Sequence, residues 1–438
     1  MARALSTIDV IRVAIARYLQ FYSQGHADLS WLNSFCGNVL ENFSEEDIKD
    51  VELMYCLLVS AEKIGSLQFD SASIFLNQCE KFSSKNGSSV QRIVHYFREA
   101  FQEKIDQQTG RISSKGEKGY KESMLLFPEV MVVNLRPALI ACYLELPVYQ
   151  ATQFAGMQAI IKTMATAKRV HLIDIEIRTG AQYILLMQAL ATQHEPQVEL
   201  FTVTAVGTTL RNEIEETGKR LAYFAMTLNL QFSFKIVMVR SLKYLNENLF
   251  ELQKGEVVAI YASMTLCHLI RLPSCLESVI RVLRNTNPRI MVVTEIEAND
   301  NLLSFEDRFF EALFYYSSYF NCLEDCMSPS DENRMSFEEM CLGQPIRNII
   351  ANEGEQRIVR HMKIDAWRAL FSRFGLAETE LSISSLYQAE LAVNNFACVK
   401  GKSCTLEKKG KSLIVGWKGS PHISLFGSFR KMRKEFVM

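Results

Sequence analysis

The sequence predicts an α/β fold in which a helical subdomain precedes a doubly wound sheet that ends in an antiparallel hairpin. Three observations lead to this class. The first 150 residues show almost exclusively helical periodicity. Between residues 170 and 294, short apolar runs alternate with helical segments, as in a parallel sheet with helices on both faces. After residue 400, closely spaced strands joined by a tight turn predict antiparallel pairing.

The helical periodicity is clearest around Leu53. Leu53, Leu57 and Ile64 lie on one helical stripe, and Gly65 follows at the position of a C-terminal cap. The same spacing predicts further helices. With the first, they span about Glu52 to Ile64, Phe69 to Phe82, Val90 to Ile105, Glu129 to Leu144 and Gln150 to Ala167.

The first predicted strand is the apolar run Val170 to Ile175, and Gly180 opens the helix after it. Later strands are predicted at Glu199 to Val206, Phe234 to Val239, Val257 to Ala262 and Arg289 to Thr294, with helices at Glu213 to Leu228 and Ser274 to Arg284. The hairpin region holds Ser403 to Glu407, Ser412 to Trp417 and His422 to Phe429. Five parallel strands followed by antiparallel ones form the Rossmann-like ground plan of the S-adenosylmethionine-dependent methyltransferases, so methyl transfer is one function to test.

The charge balance argues against one class of function. The chain has 48 lysines and arginines against 49 aspartates and glutamates, a net charge of -1. A protein that grips nucleic acid unaided normally carries a basic surplus, because phosphate contacts supply much of the affinity. Eleven scattered cysteines and an N-terminus without an apolar signal region favour a reducing, intracellular compartment, and no apolar run reaches the length of a membrane span.

A cofactor-binding sheet needs glycines in the turn after its first strand, because side chains there keep the backbone away from the ligand. This turn has one glycine, Gly180, and the bulky Ile177 and Arg178 precede it. The second strand runs into Gly207 without an acidic residue that could hold ribose hydroxyls. We therefore expect no cofactor. The candidate residues of a remnant pocket are Asp174, Gly180 and Glu295.

Two pairs of titratable residues near this turn have structural interpretations. His171 and Asp174 lie three apart on a strand, so their side chains project to opposite faces and cannot meet directly. A buried histidine with one satisfied nitrogen, and an aspartate that caps the loop or the next helix, is the simpler interpretation. Glu295 and Glu297 point the same way at the end of the fifth strand, where hydrogen bonds to loop backbone are favoured over general-base chemistry.

Neither a metal site nor a catalytic residue is predicted. Cys322 and Cys326 could share a helix face, but Cys341 and His361 follow at irregular distances. A structural zinc site usually has two pairs of ligands that are closely spaced in the sequence. Core packing is the expected role of these side chains.

One pentapeptide resembles the VHIID motif of the plant GRAS transcriptional regulators, the Scarecrow and DELLA relatives: Val170-His171-Leu172-Ile173-Asp174. Other segments resemble the remaining signatures of that family in the same order. They are the first leucine repeat at Leu53 to Ile105, the second around Gly218 to Leu230, the PFYRE region from Arg308 to Arg357 and the SAW region from Trp367 onward. The name-giving Ser-Ala-Trp is replaced by Gly427-Ser428-Phe429, and residues 1–45 contain neither the DELLA nor the TVHYNP signature.

The resemblance implies a domain organisation. Residues 1–45 would form an N-terminal helical extension, 46–430 the GRAS domain and 431–438 a basic tail. Within the domain it implies leucine repeat I at 50–105, the VHIID region at 139–204, leucine repeat II at 209–250, the PFYRE region at 257–350 and the SAW region at 352–430. It also implies a helical cap on a methyltransferase-like core.

The resemblance further implies a nuclear transcriptional regulator without enzymatic activity. Such a co-regulator would reach promoters through DNA-binding partners, often zinc-finger proteins, or through another GRAS protein. The leucine-repeat helices and the SAW region would be its association surfaces, with plain core packing as the alternative for each apolar stripe. The residues expected to contact partners are Leu53, Leu57, Ile64, Trp417 and Phe429.

Two other hypotheses stay open on the sequence. The sheet could belong to an S-adenosylmethionine-type methyltransferase, or to a pseudoenzyme that senses a small molecule in the remnant pocket. The chain could also bind DNA directly. Its basic run at residues 430–434 is either a weak nuclear localisation element or a solvated tail.

Overall fold

The computed structural model describes residues 5–24, 43–111, 129–193, 197–396 and 403–430. They divide into two compact units. A helical unit holds the described residues up to 111 together with 133–146 and 299–359, and a sheet unit holds 129–132, 147–298 and 360–430. The basic run after Arg430 and residues 25–42 of the predicted N-terminal extension lie outside the described residues.

The described residues form fourteen α-helices and nine β-strands, numbered in chain order. The helices are α1 (Thr7–Gln24), α2 (Glu45–Gly65), α3 (Phe69–Phe82), α4 (Ser89–Gln108), α5 (Glu129–Glu145), α6 (Pro147–Met164), α7 (Tyr183–Ala191), α8 (Arg211–Thr227), α9 (Pro273–Asn285), α10 (Phe305–Cys326), α11 (Glu332–Phe337), α12 (Gln344–Ala351), α13 (Ile364–Arg373) and α14 (Ile383–Asn395). The strands are β1 (Arg169–Ile175), β2 (Leu200–Gly207), β3 (Phe232–Met238), β4 (Val257–Ser263), β5 (Ile290–Ile296), β6 (Leu376–Thr379), β7 (Cys404–Lys409), β8 (Ser412–Trp417) and β9 (Ser420–Arg430). Each predicted helix and strand has a counterpart, whereas β6 and α10 to α14 have none among the predicted elements.

In the helical unit, α2 lies among α1, α3 and α4, and α4 also contacts α10 and α12. A capping box begins α2: the Ser44 hydroxyl accepts from the Asp47 amide, and the Asp47 carboxylate accepts from the Ser44 amide. At the other end, the left-handed residue is Leu67, with φ of 59°. The expected cap role of Gly65 is therefore wrong, because Gly65 is still helical and the chain turns two residues later.

A buried network of charges ties α4 to α10 and to the segment after α11. The side chains of Arg92 and Arg334 have no exposed surface, and both pair with Glu324 and Glu338. Arg92 Nε lies 3.2 Å from Glu338 Oε2. Burial raises the pKa of Glu338 to about 7, against the opposing effect of the two guanidinium groups. Removal of either arginine would leave the buried Glu338 with one guanidinium group beside it in place of two, so the network helps to fix how these helices pack.

The sheet unit contains one nine-stranded sheet in the order β3-β2-β1-β4-β5-β9-β8-β7, with β6 paired to the end of β9. Strands β1 to β5 are parallel, and β9 runs antiparallel to β5, β6 and β8. The predicted fold class is confirmed. The strand order reverses between β1 and β4, which makes their carboxyl ends the topological switch point where open α/β sheets bind ligands.

Helices cover both faces of this sheet. On one face, Ile173 and Ile260 pack in a core with Val279 of α9 and Trp367 of α13. On the other, α6 lies so close that a Cβ at position 156 would stand 3.1 Å from Val292 Cγ1, so Gly156 lets helix and sheet approach. Burial of both faces explains why the strands read as continuous apolar runs. Among the described helices, none is both long and apolar enough to cross a membrane.

Candidate functional site

The turn after β1 is the place where this fold would hold a cofactor. Glu176 reverses the chain with φ of 65°, and its amide donates to the Val206 carbonyl at 2.9 Å. The Thr217 hydroxyl of α8 donates to the Arg178 carbonyl at 3.2 Å. Ile177 between them is buried. The turn is therefore fastened to β2 and α8 by the protein's own groups.

Gly180 closes the same turn, with φ of 67°. A Cβ at this position would lie 2.9 Å from Thr217 Cγ2 and 3.2 Å from Leu221 Cδ1. The space that a missing side chain could offer to a ligand is thus taken by α8. The glycine is needed for the close packing of the turn against α8 and for the left-handed backbone at this position.

Asp174 lies at the end of β1, buried at 3% exposure, and the Tyr183 hydroxyl donates to its Oδ2 atom. Tyr183 begins α7, has no exposed surface and meets the Tyr261 ring edge-on at 6.3 Å between centroids. Burial raises the pKa of Asp174 to about 7, although the tyrosine hydrogen bond acts in the other direction. The sequence interpretation that Asp174 caps the loop or the next helix gives way to a side-chain partner, and Tyr183 was missed.

The two glutamates at the end of β5 accept hydrogen bonds from loop backbone, in line with their structural interpretation. Glu295 Oε1 accepts from the Leu266 amide at 2.8 Å and from the Cys267 amide at 3.3 Å. Glu297 Oε2 accepts from the Ile364 amide at 2.9 Å. Burial raises the pKa of Glu295 to about 7. The remnant-pocket candidates thus lie along the carboxyl edge of the sheet, each engaged by neighbouring protein groups.

His171 is remote from Asp174 in its contacts. Its Nδ1 atom lies 2.8 Å from Glu256 Oε2, and its Nε2 atom lies 2.7 Å from the Thr204 hydroxyl. Both ring nitrogens are satisfied, where one was expected, and burial lowers the pKa of the imidazole. In the VHIID-like run, His171 therefore links β1 to Thr204 of β2 and to Glu256 in the loop before β4. Asp174 holds Tyr183 at the start of α7.

S-adenosylmethionine does not fit this set of residues. In a cofactor-binding sheet, the backbone of this turn would lie against the cofactor, but here the turn is packed on Thr217. The carboxylate at the end of β1 accepts a hydrogen bond from Tyr183. At the end of β2, a Cβ on Gly207 would stand 2.4 Å from Ile214 Cδ1, and no acidic side chain follows directly. No step of methyl transfer can be derived from this geometry.

Within the described part of the chain, no group of three or more His, Cys, Asp or Glu residues could hold a metal ion. Cys322 and Cys326 are both buried on α10. His361 lies in the other unit from these cysteines. Cys322, Cys326, Cys341 and His361 thus form no such group among the residues that the structure describes.

The residues expected to contact partners are mostly buried. The side chains of Leu53, Leu57, Ile64 and Trp417 are between 0% and 5% exposed. The expectation that they form a free apolar surface is wrong, because α2 has neighbours on several sides and Trp417 faces the interior. Phe429 lies on β9 opposite Ala377, and its side chain is outside the described residues.

Comparison with known proteins decides the family. The model of the GRAS domain family matches residues 53–425. This chain belongs to the GRAS domain family. The match confirms the family resemblance over most of the chain, including the VHIID-like run.

Two curated relatives show how far the sequences have diverged. DELLA protein RGL1 of Arabidopsis thaliana is 29% identical over 375 residues, which cover 85% of this chain and 69% of the relative. DELLA protein GAI1 of Vitis vinifera is 28% identical over 379 residues, which cover 85% of this chain and 61% of the relative. The chain thus spans about three fifths to seven tenths of these relatives. The crystal structure of SCL7 in Oryza sativa shares the fold, with a TM-score of 0.73 at 24% identity over 86% of this chain and 99% of that one.

Substitution of Gly180 tests whether the turn is filled. Gly180→Ala should destabilise the chain by about 1–3 kcal/mol more than Gly255→Ala, although both glycines have positive φ. The reason is that a Cβ at position 255 would have no atom within 4 Å, whereas a Cβ at position 180 would meet Thr217. Urea unfolding followed by circular dichroism measures the difference. Equal losses would show that the turn has room for a side chain.

The pH dependence of stability tests the buried carboxyl at the end of β1. Its pKa is raised from an ordinary value near 4 to about 7, so the stability that comes from the protonated form is complete below about pH 4 and is lost as the pH rises through 7. Asp174→Asn cannot ionise, so its unfolding midpoint should fall less than that of the wild type between pH 5 and pH 8. Glu407→Gln, exposed on β7, should follow the wild type. Parallel curves for Asp174→Asn and the wild type would contradict the burial argument.

Proposed function

We propose that this GRAS chain is a nuclear transcriptional co-regulator that acts through association with DNA-binding factors, zinc-finger proteins among them, and with other GRAS proteins. Its membership of the GRAS domain family is the observation that carries the proposal. The balanced charge supports an indirect route to promoters, because 48 basic against 49 acidic residues leave no surplus for phosphate contacts.

The geometry of the turn supports a role without catalysis. A methyltransferase or a small-molecule sensor would need a free carboxylate and an open turn at the switch point. Here Tyr183 engages Asp174, and α8 fills the space beside Gly180. The sheet is therefore proposed as a rigid scaffold that presents surfaces to other proteins.

Affinity purification tests the proposal. The tagged full chain, incubated with plant nuclear extract at mild salt, should recover DNA-binding factors that mass spectrometry identifies. In a gel-shift assay, the purified chain alone should leave promoter DNA unshifted at low salt, and it should retard the DNA further when a recovered factor is present.

Two results would contradict it. Recovery of no DNA-binding factor would remove the proposed route to promoters. A salt-sensitive shift by the chain alone would favour the direct DNA-binding hypothesis instead.

A further inference from the structure

A groove of about 620 Å³ opens in the sheet unit beside the first turn of α14. Its apolar lining comes from α6, β5 and the start of α14. These residues are Ala159, Ile290, Leu381, Ile383 and Leu386. The groove is distinct from the β1 turn, because its strand residues come from β5, β6 and β7 and no residue of the turn lines it.

The outward face of α14 continues this apolar surface. Ile383, Tyr387 and Leu391 recur every four residues and are 87%, 54% and 36% exposed. The opposite face, with Ala389 and Ala392, is buried, and α14 packs on α6. A surface helix normally turns polar residues outward, so a second apolar stripe on α14 is unexpected for a free surface. Ile383 belongs to both the groove and the stripe, which makes them one continuous surface.

The rim of the groove carries more positive than negative charge. Lys162 is exposed, and none of the described residues offers it a hydrogen bond or a carboxylate. Lys408 lies 2.6 Å from Glu380, and it is the main cause of the lowered pKa of that carboxyl, with Lys411 contributing. Two lysines and one glutamate therefore line this end of the groove, and Lys411 lies close enough to the glutamate to act on its pKa. Glu390 lies two turns further along the outward face of α14.

We propose that the groove and the stripe together dock an acidic amphipathic helix of a partner protein. The inference rests on the proposed function, since it names the kind of partner that a co-regulator would bind there. Apolar residues of the docked helix cover Ile383, Tyr387 and Leu391, and its carboxylates pair with Lys162 and Lys408. A second copy of this chain fits less well, because a two-fold contact through the same patch would bring lysines against lysines.

Fluorescence polarisation with synthetic peptides tests this surface on the full chain. The probes are three labelled 16-residue peptides: an amphipathic helix with leucines on one face and glutamates on the other, its counterpart with lysines for glutamates, and a scrambled form of the acidic peptide. The acidic amphipathic peptide should bind at least tenfold more tightly than the other two. Its affinity should fall as salt is raised, because the rim contacts are exposed.

Variants localise the binding. Ile383→Glu should weaken the acidic peptide at least tenfold, and Lys162→Glu should weaken it while improving the lysine peptide. Met226→Glu, at a residue 76% exposed on α8, is the matched control and should bind like the wild type. Circular dichroism and the unfolding midpoint verify that all three variants are folded.

Several outcomes would overturn the inference. These are equal binding of the scrambled peptide, wild-type affinity in Ile383→Glu, or a wild-type dimer in sedimentation that Ile383→Glu converts to monomer. If Ile383→Glu still recovers the same DNA-binding factors from nuclear extract, the groove is not their docking site and the proposed function stands. If the wild type recovers none, the proposed function fails whatever the peptides show.

Discussion

The hydrogen bond between the buried Asp174 carboxyl and the Tyr183 hydroxyl sets the arrangement of the functional edge of the sheet. It holds the first residue of α7 against the end of β1, so the intervening turn must be compact. Gly180 makes that possible through its left-handed backbone and its contact with Thr217 of α8. Once these groups are in place, the site where an α/β sheet of this order would admit a ligand is built from the protein's own side chains.

Local patterns in the sequence predict much of this fold. Apolar runs identify β1 to β5, and the shortage of glycines between Asp174 and Gly180 is the reason to expect no cofactor at this turn. The partner of Asp174 could have been suspected, since Tyr183 is a polar aromatic side chain at the start of an otherwise apolar helix. Its position in space depends on the turn, which no periodicity describes. The four-residue strand β6 is too short for a periodic signal, and its pairing needs Gly427, where a Cβ would meet Thr379 at 2.7 Å.

The sequence could not predict which apolar helix faces are buried and which are exposed. The stripes at Leu53 and at Ile383 have the same helical spacing, yet Leu53 is 5% exposed and Ile383 is 87% exposed. The difference comes from neighbours: α2 lies among three helices, while α14 packs on α6 through its opposite face. Residues 299–359 join the helical unit after the whole parallel sheet has been completed, a non-local event. An association surface in this GRAS protein must therefore be sought on exposed stripes, among which α14 combines apolar spacing with a basic rim.

The turn after β1 is closed by protein groups, and from this we infer that it does not serve a cofactor. Hydrogen–deuterium exchange of the full chain, with and without millimolar S-adenosylmethionine, measures this most directly at the backbone amides of residues 176–183. We expect slow exchange at the amides of Glu176 and Tyr183 in the free chain, because they donate to the Val206 and Gly180 carbonyls, and no change when the compound is added. Rapid exchange that slows on addition of S-adenosylmethionine would contradict the account and restore a ligand-binding role for the sheet.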